Sequence, residues 1–243
     1  MKNVGQSDSR NLEFKEKFSR QKILKDLVGH SHPTVFDVGA HYGESVLFLE
    51  SVFPEAVIYS FEPDPDSFAL LSTAAQNKAR CFNVAVAEHD GESTFYRNKI
   101  SHTNSLYRVN TKSRDSIAIS KAVATSDKAF FEDLNHEILV PTVRLDTFVS
   151  QQSIKCIDLL KVDVQGAECS VLRGGLEALA TTKVVVLELS LFDYYEKRTS
   201  FFDVESILNP LGFTLFSISD ISNNPMNGRT DWIEAIYLNE SRE

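Results

Sequence analysis

TVFDVGAHYGES, residues 34–45, is the stretch whose reading decides the fold. Three apolar residues, Val35, Phe36 and Val38, surround Asp37, and two glycines, Gly39 and Gly43, then open a helical pattern. A short apolar run, a thin glycine turn and a helix make the strand–turn–helix opening of ligand-binding α/β folds. A carboxylate at a buried strand end needs a partner. A turn kept thin lets backbone approach a ligand closely, and the helix N-terminus behind Gly43 attracts an anion.

Outward from this turn the chain alternates. AVIYSFEP (56–63) predicts a second strand and DSFALLSTAAQNK (66–78) its crossover helix. RCFNVAV (80–86) predicts a third strand, and HDG (89–91) a hairpin turn into the strand ESTFYR (92–97). EILVPTVRLDTFV restarts order at 137, and IDLLKVDV (157–164) predicts a fourth core strand. The helix AECSVLRGGLEALA (167–180), the strand KVVVLELS (183–190) and the helix FFDVESILNPLG (201–212) follow. FTLFSISDI and DWIEAIYLN, with no helix between them, predict an antiparallel hairpin at the sheet edge. Strands alternating with helices imply a parallel sheet with helices on both faces. Before it, residues 1–10 read as frayed, and apolar residues from Leu12 to Val28 predict one or two amphipathic helices, an N-terminal extension over 1–33. Residues 98–137 are polar, with one helix expected near 116–134, and read as a variable loop or lid over an acceptor.

The bulk numbers suit one domain: 243 residues, 42% hydrophobic and 24% charged. A formal charge of −9 without a basic stripe argues against nucleic acid as a partner. The N-terminus lacks the apolar core of a signal peptide, and no apolar run approaches the ~20 residues that span a bilayer. The expectation is a soluble, cytoplasmic protein with no membrane partner. Cys81, Cys156 and Cys169 are widely spaced, without a C-x-x-C pair, and read as small core residues in a reducing compartment.

In open parallel sheets ligands sit outside the carboxyl ends of the strands. Those ends supply Asp37 to Gly43, Glu62 and Pro63, Asn83 to Ala85, Lys161 to Glu168, and Glu188. Glu62, on the neighbouring strand, is placed to accept hydrogen bonds from both hydroxyls of a ribose. A pyrophosphate cofactor prefers a glycine where His41 stands, so a nucleoside without phosphate fits better. S-adenosylmethionine is such a compound. Asp37 is a candidate for its ammonium, and the helix N-terminus with Ser45 for its carboxylate. Glu188 reads as a pocket acid or as a partner for a nearby basic residue. Lys161 faces either the crevice or the sheet. Tyr194 and Tyr195 follow the fifth strand, and read either as packing on an acceptor or as exposed tyrosines.

FDVGAHYGES, YSFEPDP, FNVAVAEHDGESTFY, TNSL, PTVRLDTF, IDLLKVDVQGAECSVLRGG and the C-terminal GF…DWIEAIYLN together span about residues 34–239. In this combination the chain resembles the FkbM-type methyltransferases. The resemblance implies a Rossmann-like class I methyltransferase domain over 34–243, with a mostly parallel seven-stranded sheet and an antiparallel C-terminal hairpin. It implies S-adenosylmethionine as cofactor, held by Asp37, Gly39, Ala40, Gly43 and Glu62, with Asn83, Val84 and Ala85 beside the adenine. Asp163 would lie near the methyl-transfer end. The acceptor implied is a hydroxyl of a sugar, glycan or secondary metabolite. Gln165 stands where the family often has glutamate, and Cys169 where an aliphatic residue is common.

For a general base the candidates are Asp163, His102 and His41: reference pKa values favour histidine, strand-end position favours Asp163. Asn104, Ser105 and Glu188 are candidates for substrate binding. Asp163 with Glu188 or Asn104 could chelate a divalent ion and a diol, but their spacing does not establish convergent oxygen ligands, and no metal is expected. Two other classes share the glycine turn and the ribose acid: an NAD(P)-dependent oxidoreductase of Rossmann type, and a non-catalytic cofactor-binding subunit.

Overall fold

A computed structural model describes residues 4–117, 132–225 and 227–242. Seven strands form one sheet: β1 (Thr34–Val38), β2 (Val57–Phe61), β3 (Ala79–Phe82), β7 (Ile157–Val162), β8 (Thr182–Ser190), β9 (Phe213–Asn223) and β10 (Thr230–Asn239). Their order is β3-β2-β1-β7-β8-β10-β9. The five strands from β3 to β8 are parallel, and β10 runs antiparallel between β8 and the edge strand β9. The expected mostly parallel sheet with a C-terminal hairpin is therefore present. Strand order reverses between β1 and β7, which is where such sheets place a ligand.

Helices α2 (Arg20–Val28) and α3 (Glu44–Val52) cover one face. Their Ile23, Leu24, Val28, Leu49 and Val52 pack on Val35, Leu159, Val184 and Ile236. Helices α5 (Leu145–Gln151), α6 (Glu168–Arg173) and α8 (Phe201–Leu208) cover the other. There Phe148, Val171, Leu172, Val204 and Leu208 meet Phe36, Leu160 and Tyr237. Helix α4 (Pro65–Ala75) joins α3 on the first face through Leu71, Ala75, Val46 and Ala40. Its start is set by Asp64, whose carboxylate accepts the Asp66 and Ser67 amides, and by Pro65 in the first turn. A Ser200–Asp203 capping box starts α8 in the same way.

Several sequence expectations change. Residues 4–17 form a continuous helix, α1, not a frayed end, and its Leu12 and Phe14 remain exposed. RCFNVAV is not one strand. At Asn83 the side-chain amide donates to the Glu62 and Pro63 carbonyls, and the chain leaves the main sheet. Beyond it β4 (Ala85–Val86) joins a second sheet of order β4-β6-β5, with β5 (Gly91–Arg97) and β6 (His136–Val143). His89-Asp90-Gly91 is thus no hairpin turn, because β6 lies between β4 and β5.

The helix expected over 167–180 breaks into α6 and α7 (Leu176–Leu179). A Cβ on Gly174 would sit 2.0 Å from the Ala87 carbonyl oxygen, and one on Gly175 2.7 Å from Leu145 Cδ2. The glycine pair lets the second sheet's connection touch the helix. The helix expected near 116–134 falls largely outside the described residues. All three cysteines are free; Cys169 is buried as expected, Cys81 is half-buried and Cys156 is exposed. Tyr194 and Tyr195 are buried, not exposed. No helix among the described residues is long and apolar enough to cross a membrane.

Candidate functional site

The ends of β1, β2, β7 and β8 open into one cavity of about 210 Å³. Its walls include Gly39, His41, Glu62, Pro63, Val84 and Ala85 from the expected cofactor set. Asp163, His102, Asn104 and Glu188 from the expected catalytic and acceptor sets line the same cavity. Asp37, Ala40, Gly43, Ser45, Asn83 and Ser105 are not among its lining residues, and each has a visible reason.

Asp37 is fully buried beneath the glycine turn. Its Oδ2 accepts from Ser45 Oγ at 2.6 Å, and its Oδ1 lies 3.6 Å from Lys161 Nζ. Burial raises its pKa, with Lys161 and Ser45 opposing the shift. Asp37 and Ser45 therefore brace the turn from below. Gly39 (φ +85°) faces backbone: a Cβ there would fall 1.9 Å from the Asp163 carbonyl oxygen. Gly43 (φ +98°) starts α3 where Leu71 and Ala74 of α4 pack. Ser105 is buried too, its hydroxyl donating to the Gln165 carbonyl at 2.9 Å, and thus pins the polar segment to the end of β7.

Glu62 is the acid at the β2 end of the cavity. Its Oε2 accepts the His41 amide at 2.9 Å and its Oε1 the Asp64 amide at 2.8 Å, which ties the ends of β1 and β2 together. Burial pushes its pKa up to about 8. Each carboxylate oxygen keeps a second acceptor position, and the carboxylate lines the cavity beside Pro63, Val84, Ala85 and Phe95. An acceptor pair for two hydroxyls next to an apolar wall fits a nucleoside, so these residues suit S-adenosylmethionine.

At the other end Lys161 faces the polar row beneath the cavity, not the apolar sheet. Its ammonium lies 3.4 Å from Asp163 Oδ2 as well as near Asp37. Burial alone would lower its pKa, but Asp163, Asp37, Glu188 and Glu234 more than reverse that and keep it charged. Gln165 Nε2 bridges Asp163 Oδ1 (2.9 Å) and Glu188 Oε1 (3.1 Å). Burial and the neighbouring Asp163 push Glu188 up to about 8.

His41 (φ +46°) stacks on Tyr42 at 3.5 Å, and its Nε2 lies 3.0 Å from Ser101 Oγ. Burial and the nearby His102 lower its pKa, so the ring is neutral at pH 7. Asn104 lines the cavity, yet both ends of its amide are engaged, with the Asn98 amide and Asp64 Oδ2.

Sequence reasoning missed Trp232, Phe95, Ser101 and Leu106 as lining residues. Trp232 is the single tryptophan and stands two residues before Glu234 on a strand that pairs with β8. Its position in the C-terminal motif was the one available signal. Among the described residues no group of three or more His, Cys, Asp or Glu is placed to hold a metal ion.

The buried glutamates set a pH dependence. Glu62 and Glu188 are raised to about 8 and Glu168 to about 7, from an ordinary value of 4.5. A folded protein that holds protons the unfolded chain has released loses stability as pH rises. The ligand-free protein should therefore be more stable at pH 5 than at pH 8, by about 2 kcal/mol or more. Urea unfolding across that range measures it, and a flat or rising curve would contradict the burial of these acids.

A family model described as the methyltransferase FkbM domain matches residues 37–215. The chain is 29% identical over 175 residues to the 2-O-methyltransferase NoeI of Sinorhizobium fredii, covering 71% of this chain and 70% of that one. It is 28% identical over 200 residues to the 31-O-demethyl-FK506 methyltransferase FkbM of Streptomyces tacrolimicus, covering 76% and 74%. It is also similar to a crystal structure of a methyltransferase FkbM from Methylobacillus flagellatus, with 15% identity and a TM-score of 0.49. That match covers 86% of this chain and 44% of the solved one. The family match sets aside both the oxidoreductase and the non-catalytic readings, which the strand-end residues had left open. The chain belongs to the FkbM family of S-adenosylmethionine-dependent methyltransferases.

Proposed function

We propose that the protein methylates a hydroxyl of a sugar, glycan or secondary metabolite. The observation that carries this is a single cavity with a ribose-type acid, Glu62, at one end and Asp163, Gln165, Glu188 and Trp232 at the other. Glu188, whose second oxygen has no hydrogen-bond partner among the described residues, lines the cavity with the Trp232 indole, a pairing that suits a compact hydroxylated acceptor. The names of two relatives, a 2-O-methyltransferase and a 31-O-demethyl-FK506 methyltransferase, are in keeping with oxygen as the acceptor atom.

In this reading Glu62 accepts from the ribose hydroxyls, and Pro63, Val84 and Ala85 flank the base. Gly39 and His41 form the turn over which the amino-acid tail lies. Ala40 and Gly43 shape that turn, and Asp37 and Ser45 hold it from below. Asn83 keeps the Glu62–Pro63 backbone in place. His102 and Asn104 close the cavity from the polar segment, which Ser105 anchors. S-adenosylmethionine, when bound, supplies an electrophilic methyl group. The protein's largest contribution is alignment of the acceptor oxygen, an effect of roughly 7 to 11 kcal/mol. A proton acceptor adds about 10²- to 10⁴-fold.

Glu62→Ala should weaken S-adenosylhomocysteine binding by about 1 to 3 kcal/mol, the scale of two lost hydrogen bonds. Isothermal titration calorimetry reads this directly, and unchanged affinity would remove the ribose assignment. The acceptor class is tested with methyl-labelled donor and a set of methyl glycosides with free ring hydroxyls. A label bound to oxygen supports the reading; binding of the cofactor product with no labelled glycoside rejects the sugar class.

A further inference from the structure

The two acids at the acceptor end are not equivalent. Both oxygens of Asp163 are committed to protein, Oδ2 to Lys161 and Oδ1 to Gln165. Glu188 accepts one hydrogen bond, from Gln165 Nε2 to Oε1. Its Oε2 has no hydrogen-bond partner among the described residues, although Glu188 lines the cavity. Gln165 is fixed in this role. Its backbone is left-handed (φ +55°), and its Oε1 accepts from the Tyr195 hydroxyl at 3.2 Å, so the amide nitrogen faces both carboxylates. The histidines are less suited: His41 sits in the cofactor turn against Ser101, and His102 is exposed.

We propose that Glu188 is the proton acceptor of the reaction, and that Asp163, tied to Lys161 and Gln165, positions it. This rests on the hydroxyl-methylating reading above. As the hydroxyl oxygen bonds the methyl carbon, the carbon–sulfur electron pair stays on sulfur and the O–H pair stays on oxygen. The proton passes to Glu188 Oε2 and then to solvent.

The groups around Glu188 bear on its titration. Lys161 and Asp163 face it from β7, Glu168 from α6, and Glu234, its register partner, from β10. Glu234 is itself paired with Arg20 of α2, and the Tyr195 hydroxyl lies beyond Gln165. Burial foremost, then Asp163, outweighs Lys161 and brings Glu188 up to about 8, close to a working pH, where a base is most effective.

The test compares wild type with Glu188→Gln, using S-adenosylmethionine and methyl glycosides. Glu188→Gln should lower kcat by about 100-fold or more, leave KM for S-adenosylmethionine within about threefold, and abolish the acidic limb of the pH–kcat profile. Asp163→Asn should lower kcat yet keep that limb. A readout free of turnover is the pH dependence of urea stability of the ligand-free proteins: between pH 5 and 8 the decline should be shallower in Glu188→Gln than in wild type. A Glu188→Gln enzyme that keeps the acidic limb, loses less than fivefold in kcat or shows the wild-type stability slope overturns the proposal alone. Wild type that binds S-adenosylhomocysteine but labels no hydroxyl overturns the underlying reading, and this one with it.

Discussion

Gly39→Ala should abolish measurable S-adenosylhomocysteine binding and destabilise the protein by about 3 to 5 kcal/mol. The added Cβ would lie 1.9 Å from the Asp163 carbonyl oxygen and 2.8 Å from its carbonyl carbon. Both atoms are backbone, so no side-chain rotation relieves the clash. The φ of +85° adds strain for any residue with a Cβ. The contact sits where β1 and β7 part, locked by Asp163 N–H donating to the Val38 carbonyl (2.9 Å) and Gly39 N–H to the Phe61 carbonyl (3.0 Å). Relief requires the two strand ends to separate, and those ends carry the glycine turn and the acids proposed to hold cofactor and acceptor. Gly91→Ala is the control. It has φ +131° but nothing within 4 Å of the new Cβ, so its cost should be conformational alone, about 1 to 3 kcal/mol. Urea unfolding and calorimetry on the two variants read the difference. Equal losses at both glycines would show that dihedral strain, not the Asp163 contact, sets the requirement.

Lys161→Met should destabilise the protein by about 3 to 5 kcal/mol at neutral pH, the cost of leaving a buried charge without its partner. Methionine keeps most of the side-chain volume, so packing contributes little. What is lost is the cation between Asp37, fully buried, and Asp163. Without it the pKa of Asp37, already raised by burial, climbs further. A carboxyl that stays protonated only in the fold weakens the fold as pH rises. The deficit of Lys161→Met should thus be smaller at pH 5 than at pH 8. The Asp37→Asn, Lys161→Met double variant should recover part of it, giving a coupling energy of about 1 kcal/mol or more. Additive losses would mean that the two side chains do not interact as their 3.6 Å separation implies.

Much of this architecture was legible because its cause is local. Periodicity located β1, β2, β7 and β8 with their helices, since a strand buried on both faces must be apolar throughout. Glu62 stood out as a carboxylate at the end of such a strand. The split at Asn83 could not be read that way. RCFNVAV remains apolar across the break, and only the Asn83 side chain bonded to the Glu62 and Pro63 carbonyls marks it. Nor could the division at Gly174-Gly175, which answers to Ala87 and Leu145, residues distant in the chain.

The site divides along the same line. From the amino-acid order alone came the glycine turn, the glutamate ending β2 and the set of carboxylates at strand ends, because spacing along one strand or turn places them. Which of these face the cavity was decided by tertiary structure. Asp37 and Ser45 are drawn under the turn by Lys161, and Ser105 is turned to the Gln165 carbonyl, while Trp232 is brought to the rim by the pairing of β10 with β8. A side chain's partner across the sheet depends on register and strand order, which no local pattern encodes.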